Sequence, residues 1–416
     1  MHDFVIVGGG VQGTYLSHAL STGMGISDLV VIDPFEQPLA VWRQHTRACG
    51  MRYLRSPSSH NLDLDFHSLR NWAAQHGWDH QQAYVPPYAR PQLELFDAHA
   101  AAVIHNNNLR RWRRRGTVGR IVLHDDCVDV SFARQRVRAR YALLALGRST
   151  ELCYPAWSRL TDLHRDVIDH VFSPSFHPQK LSCAQRPVII GAGASAIQLA
   201  LATSAQSGRP VTVISQYPIR VRRFDSDPCF IGPRCARDFL AQSDYTVRRA
   251  MIETARAPGS IPEDVAQQLA AQRSQKAIRV LEDRVQSAAI SGGRLRLKLA
   301  GGDSIESDRV VVATGFNPGV PGGRLVAELA ARYALPRAED GFPLPDSFLR
   351  WHPRLFVSGT LAELELGPFA PNIIGAIAAA KRLAAFLLEQ SDPRPRAWQP
   401  LPRLLHQTGS SVAMRA

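Results

Sequence analysis

The sequence predicts an α/β protein with two Rossmann-like dinucleotide-binding domains, the second inserted in the first, and a small helical insertion. Three observations carry this. A strand, a glycine turn and a helix start occur twice, as "FVIVGGGVQG" near the N-terminus and as "VIIGAGASAIQLA" from Val188 to Ala200. Each copy is followed by a helix and a second apolar strand, "LVVIDP" and "VTVIS". Two more buried-type strands, "YALLALG" and "RVVVATGFNPG", stop at glycine or turn residues. The repeat is roughly 180 residues, far beyond the roughly 20–50-residue period of a solenoid. The pattern assigns residues 1–150 and 319–416 to the first domain and 181–318 to the second, with helices inserted at about 225–285.

Length and composition agree with this. The chain of 416 residues is long enough for two or three domains and is 45% hydrophobic and 20% charged, as globular proteins are. It has no run of about 18 uncharged apolar residues, so no membrane span is expected. The start, "MHDFVIVGGG", lacks a basic n-region, which argues against a signal peptide and favours the cytoplasm. Cys49, Cys127, Cys153, Cys183, Cys229 and Cys235 include no C-x-x-C pair. No metal site and no dithiol motif is therefore expected, and free thiols are the default. The net charge of +13 suggests acidic partners, but only four of the 49 basic residues are lysine, a skew that fits a GC-rich genome as well. The densest cluster, "LRRWRRRGTVGR", lies between a helix and a strand and reads as a solvated turn and strand face. Nucleic-acid binding, with Trp112 stacking on a base, is the weaker reading.

Each element of the first repeat has a chemical reason. Gly8 permits the tight turn, Gly10 lets the backbone approach a pyrophosphate, and Gly13 allows close helix–strand packing. The helix start offers free N–H groups to phosphates. Asp33 ends the second strand, where an acid accepts hydrogen bonds from an adenosine ribose. The second repeat has Gly191, Gly193 and Ala196, an allowed variant. No acid follows its second strand. Ser215, Gln216, Arg220, Arg222 and Arg223 stand there instead, and arginines attract a 2′-phosphate that a carboxylate repels, which favours NADPH over NADH. Two cradles suggest two dinucleotides exchanging a hydride, one of them a flavin.

The middle and C-terminal parts complete the pattern. "IPEDVAQQLAAQRSQKAIRVLEDRV" starts with proline and acids, as helices do. "GGRLRLKLAGGDSIESDRVVVATG" reads as strand, glycine turn and strand. Then come a strand "RLFVSGT", a loop "LAELELGPFAPN", a helix "IIGAIAAAKRLAAFLLEQ" and a Pro- and Arg-rich tail after Ser391 that is expected to be loosely ordered.

In one order along nearly the whole chain, these stretches resemble the two-domain flavoprotein monooxygenases, which include the ornithine and lysine N-hydroxylases and the flavin-containing monooxygenases. "GGGVQG" with Asp33 is similar to their FAD fingerprint, and "AVWRQHT", with Trp42, to the segment beside their flavin. "DHVFSPSFHP" places His170 before the NADPH fingerprint "GAGASA". "FDSDPCF" and the helices after it resemble the aspartate-proline segment and insertion of the N-hydroxylases, and "ATGFNP", with Thr314 and Gly315, resembles the end of their NADPH domain. The C-terminal flavin motif of the family ends in Gly-Asp. Here it is Gly359-Thr360, where a hydroxyl replaces the acid. "PFAPNIIGAIAAA" would aim a helix N-terminus near Asn372 at the flavin, where the dipole favours negative charge.

The resemblance implies FAD and NADPH as cofactors and a C4a-hydroperoxyflavin mechanism, with O2 and a small nucleophile, an amine or amino acid, as substrates. Bound NADP would shield the site from water. Trp42, Arg43, Arg52 and Arg55 are the candidates for the active-site wall, against a reading of plain packing and surface charge. His60, Asn61, Asp63 and Asp65 could meet a substrate amine, but a capped loop is the preferred reading. Three rivals stay open. A disulfide reductase needs a C-x-x-C pair, and Cys229 and Cys235 have the wrong spacing. A flavin dehydrogenase would pass electrons to an acceptor other than O2. A sensor would bind FAD and NADPH without turnover. A homo-oligomer stays open as well.

Overall fold

The computed structural model describes residues 1–148, 151–158, 167–291 and 294–390. Two sheets organise it, the first with a parallel centre and antiparallel additions, the second parallel throughout. The first has eight strands, six of them in the order Arg350–His352, Leu355–Val357, Gln135–Leu144, His2–Val7, Leu29–Asp33, Arg113–Arg115. Val5 lies between Val30 and Ala142 in parallel register. Val118–Leu123 and Val128–Phe132 form an antiparallel hairpin hung on Gln135–Leu144. Phe4, Val5, Ile6 and Val7 are buried, as are Leu29 to Ile32, because helices cover both faces of a parallel sheet. The helix Ile373–Glu389 packs on Val11–His18, and its face of Ala376, Ala379, Ala380 and Leu383 is fully buried. The first lobe is thus made from both ends of the described chain.

The second sheet has five parallel strands in the order Ile278–Glu282, Val211–Ser215, Pro187–Ile190, Arg309–Val312, Ile168–His170. Its last strand lies before residue 181, so the second lobe begins earlier than the glycine motif predicts. Three residues paired only with Arg309–Val312 leave too little periodicity to read. The predicted strand, turn and strand form a separate antiparallel sheet of Val285–Ser291, Arg294–Leu299 and Ser304–Ser307. The tail after Ser391 lies outside the described residues.

The expected helical insertion contains Pro233–Leu240, Tyr245–Ala255 and Glu263–Ser274. Asp244 caps the second of these by accepting from the Thr246 N–H at 2.7 Å. Buried ion pairs tie the insertion to the first lobe. The fully buried Glu363 accepts from Arg249 and Arg256, and Arg248 pairs with Glu365 at 2.6 Å. The lobes also meet where the helix Ala40–Ala48 runs into the second core. Ala48 and Cys49 belong to that core, and burial pushes the Cys49 thiol up to about 12. His45 stacks near Phe172, which lies parallel to Phe316 with ring centres 5.2 Å apart.

One cysteine expectation is corrected. Cys229 and Cys235 are joined in a disulfide, with Cα atoms 5.5 Å apart. A 3-10 turn at Pro228–Ile231 folds back onto the helix Pro233–Leu240 and brings them together, which spacing alone does not reveal. Cys49, Cys127, Cys153 and Cys183 are free.

Candidate nucleotide cradles and the cavity between them

The first cradle has the geometry that its glycines require. Gly8 has φ +104°, and a Cβ there would lie 2.5 Å from the Ala145 carbonyl oxygen. A Cβ on Gly13 would overlap the Gly8 carbonyl. Gly10 has nothing within 4 Å of its missing Cβ, so the space above the helix start is free for a phosphate. Gly10 is the N-cap and offers no side chain to the first N–H groups. Asp33 accepts from the Gly9 N–H at 2.6 Å and the Phe35 N–H at 2.9 Å, and it pairs with Arg113 at 3.2 Å. The arginine run is therefore partly internal. Arg113 also donates to the carbonyls of Phe35 and Glu36, bracing the turn beyond Asp33.

A second helix start faces the same region. Asn372 caps Ile373–Glu389 without a side-chain bond to it, and its amide donates to Asp225 at 3.2 Å instead. Gln12 donates to the carbonyls of Ala370 and Asn372 at 3.0 and 2.8 Å, locking the two helix starts together. Gly359 has φ +61° and lies against Gln12, with Thr360 buried beside it. Between these parts lies a cavity of about 260 Å³, lined by Val11, Trp42, Arg55, His60, Asp225 and Asn372 among others. Apolar walls and few polar groups are the usual make-up of such a site. Burial pushes the His60 imidazole down to about 4, so it is neutral at neutral pH.

The four expected wall residues separate. Trp42 and Arg55 line the cavity. Arg43 does not. It is next to Trp42 on a helix, hence about 100° around it, and binds Asp97 at 3.0 Å. Arg52 is exposed and faces another cavity, beside Gln198 and Asp264. The guanidinium of Arg55 donates to the carbonyls of Arg222 and Phe224, both at 2.6 Å, and to the Ser260 hydroxyl at 2.9 Å. It thus fastens the first lobe to a segment leaving the second. Of the proposed loop residues only His60 reaches the cavity. Asn61 accepts from the Asp63 N–H at 2.8 Å, Asp63 from the Ser68 hydroxyl at 2.6 Å, and Asp65 from the His67 N–H at 3.0 Å. Those three organise the loop itself. Asp225, Phe224, Ile231 and Phe369 were not singled out by sequence reasoning. Phe224, Asp225 and Ile231 come from the stretch at and after "FDSDPCF" and Phe369 from "PFAPN", and only the fold brings the two stretches together.

In the second cradle Gly191 has φ +142°, and a Cβ there would lie 2.7 Å from the Ala313 carbonyl oxygen and 3.3 Å from the Ala196 methyl. Gly193 caps the helix Ala194–Ser207. Unlike Gly10 it has a neighbour, since its missing Cβ would lie 3.4 Å from the Cα of Gly259. The residues expected at the 2′-phosphate differ in what they already bind. Ser215 is buried and bonds to Tyr217, Arg220 donates to the Pro258 carbonyl, and Arg223 reaches Glu263 at 3.4 Å. Arg222 is exposed, and its guanidinium bonds locally to the Val221 carbonyl. Thr314 donates to the Cys153 carbonyl, and Gly315, at φ +76°, accepts from the Cys153 N–H at 3.0 Å. Burial holds the His170 ring near 4.

Two helix-capped glycine cradles on the parallel strands of two sheets define the FAD- and NAD(P)H-binding architecture of the flavin-dependent oxidoreductases. The chain belongs to the pyridine nucleotide-disulphide oxidoreductase family, whose model matches residues 106–382. No curated protein matches the sequence. Among solved structures, the chain is similar to the cadaverine monooxygenase of desferrioxamine biosynthesis from Erwinia amylovora, with a TM-score of 0.71, 16% identity and 100% of both chains covered. It is also similar to the ornithine N-hydroxylase of Kutzneria sp. 744, with a TM-score of 0.73, 16% identity and 94% of this chain against 100% of that one. The bacillithiol disulfide reductase of Bacillus cereus gives a TM-score of 0.57 at 16% identity, covering 92% of this chain and 99% of that one. At such identities these likenesses show the fold. The protein is a flavin- and NAD(P)H-dependent oxidoreductase. No described helix is long and apolar enough to cross a membrane.

Proposed function

We propose that the protein is an FAD- and NADPH-dependent monooxygenase that oxygenates a small nucleophile, an amine or amino acid. The observation that carries this is the cavity where the two first-lobe helix starts meet the segment leaving the second sheet, with one carboxylate, Asp225, on its wall. The closer fold likeness to amine and amino-acid monooxygenases than to a disulfide reductase supports it.

The residues present fit FAD. The open space at Gly10 and the uncapped N–H groups after it would hold the pyrophosphate, Asp33 the ribose, and the helix start at Asn372 the flavin. Gly191 and Gly193 would hold the second pyrophosphate, with Ala196 packing the helix on the strand and Arg222 the arginine freest to turn to a 2′-phosphate. When bound, the flavin supplies hydride acceptance from NADPH and reactivity toward O2. The chain supplies the surroundings. Trp42, Leu54, Phe224 and Phe369 exclude water. Asp225 attracts a substrate ammonium and orients it by charge-assisted hydrogen bonds. The neutral His60 adds no positive charge to that of Arg55 on the same wall.

The test is product analysis. Purified protein carrying FAD, given NADPH, O2 and a panel of diamines and basic amino acids, should yield a product one oxygen atom heavier. NADPH consumption that ends in hydrogen peroxide with every substrate would reject oxygenation. Turnover only with an added acceptor, without O2, would establish the dehydrogenase instead.

A further inference from the structure

We infer that the Cys229–Cys235 disulfide is a reversible redox-modification site, reduced by small thiols or dithiols, that sets the stiffness of one wall of the flavin cavity. The inference rests on the reading of that cavity as the flavin site. The pair closes a short loop, and Ile231 inside the loop lines two cavities at once. One is the cavity of Trp42 and Asn372. The other, of about 240 Å³, runs between the helices Pro233–Leu240 and Ile373–Glu389. Ile231 and the buried Phe369 line both and together form the partition between them.

Besides the disulfide, few hydrogen bonds hold the Ile231 side of that partition. Among the described residues the loop's backbone bonds stay local: Cys229 N–H to the Asp227 carboxylate at 2.9 Å, Phe230 N–H to the Asp227 carbonyl at 3.2 Å, and Gly232 N–H to the Cys229 carbonyl at 3.0 Å. Its packing runs through Phe230, which meets Phe239 edge-on at 6.2 Å between ring centres at the border of the cluster of Phe239, Ile252, Phe342 and Leu364. Ile231 itself is 41% exposed. A segment with few buried contacts and local hydrogen bonds opens at low cost once its crosslink is cut.

The pair is also placed to react. Both cysteines are half-buried, within reach of a small thiol. Cys235 sits in the first turn of Pro233–Leu240, where the positive end of the helix dipole stabilises a thiolate. Cys229 sits beside the Asp227 carboxylate, which does the opposite. The polarity of the exchange follows. The reductant's thiolate attacks Cys229 Sγ, the S–S bond breaks, and Cys235 leaves as a thiolate and takes a proton from water. A second reductant thiolate then attacks the mixed disulfide. The reductant's own disulfide forms, and Cys229 leaves and is protonated. Two electrons pass from two thiols to the protein pair.

The experiment compares holoprotein purified in air with the same protein treated with dithiothreitol, and with the Cys229→Ser/Cys235→Ser double variant. Cys183→Ser serves as the control for an exposed thiol. Differential alkylation read by peptide mass should label Cys229 and Cys235 only after reduction. Hydrogen exchange over residues 228–240 should speed up, and FAD release, followed by flavin fluorescence, should quicken about threefold or more. Diamide should reverse both in the wild type and change neither in the double variant. Labelling of both cysteines without reductant would overturn the inference, as would identical exchange in the two forms. If the protein retains no FAD, the flavin reading fails, while alkylation and exchange still decide the switch.

Discussion

At the scale of single residues, three glycines show how one atom can be decisive. Gly13→Ala places a methyl on the Gly8 carbonyl, so it should unfold or displace the turn. Gly10→Val places its Cβ where no protein atom lies within 4 Å and should leave the fold intact. It fills the space for a phosphate, so the expected outcome is a normally folded but colourless protein, with FAD content lowered more than tenfold by absorbance (on the order of 1.4 kcal/mol or more). Retention of full yellow colour by Gly10→Val would refute the first cradle. Arg55 is a different case. Its donors go to carbonyls of 222–224 and to Ser260, next to Gly259 over the second cradle. Arg55→Ala strands the carbonyl of the buried Phe224, and a buried acceptor without a partner costs roughly 1–3 kcal/mol. Both the FAD content and the NADPH KM should worsen. A change in one alone would mean that Arg55 does not join the lobes. These roles were only partly legible beforehand. Glycine roles follow from local backbone sterics, so Gly8, Gly10 and Gly13 could be read from spacing. A side chain's direction depends on distant packing, so Trp42 and Arg55 could not be told from Arg43 and Arg52.

At the scale of elements, the helical insertion depends on charge that is out of water. Glu363 is fully buried and takes two arginines from the Tyr245–Ala255 region. Glu363→Gln leaves Arg256 without its carboxylate and Arg249 with Asp340 alone, so the loss should fall below the roughly 3–5 kcal/mol of a fully broken buried pair. Thermal melts should show it as a lowered Tm, whereas Glu328→Gln, in an exposed pair with Arg324, should change little. The insertion could be located from its helix starts, but its attachment could not, because Glu363 and Arg249 are far apart in the chain. The same limit hid the short edge strand Ile168–His170. Its three residues carry no pattern until Arg309–Val312 pairs with them.

At the scale of the whole molecule, pH acts through buried imidazoles. His60, His99 and His170 are buried, and desolvation pulls each down to about 4. In the unfolded chain they titrate near 6.5. Between those values the unfolded state binds more protons, so stability rises with pH through that window and is lost as pH falls from 6.5 toward 4. The unfolding free energy from denaturant titrations should therefore drop from pH 7 to pH 5, by an amount on the order of 1–3 kcal/mol per ring. His170→Gln should flatten that slope, and an unchanged slope would mean the ring is protonated in the native state. The two-lobed plan was legible because each lobe announces itself with a complete local unit. Strand order and the meeting of the lobes were not, because they depend on contacts between distant segments. That arrangement bears on biosynthesis. The second sheet is complete once residue 312 has been made, while the first still lacks its strand Leu355–Val357 and the helix Ile373–Glu389. On the ribosome the inner lobe can close while the earlier-made one waits, its strands His2–Val7 and Gln135–Leu144 paired but unsealed. A translation stall between residues 320 and 370 would release a chain with one finished cradle and one exposed sheet, a natural target for chaperones and proteases.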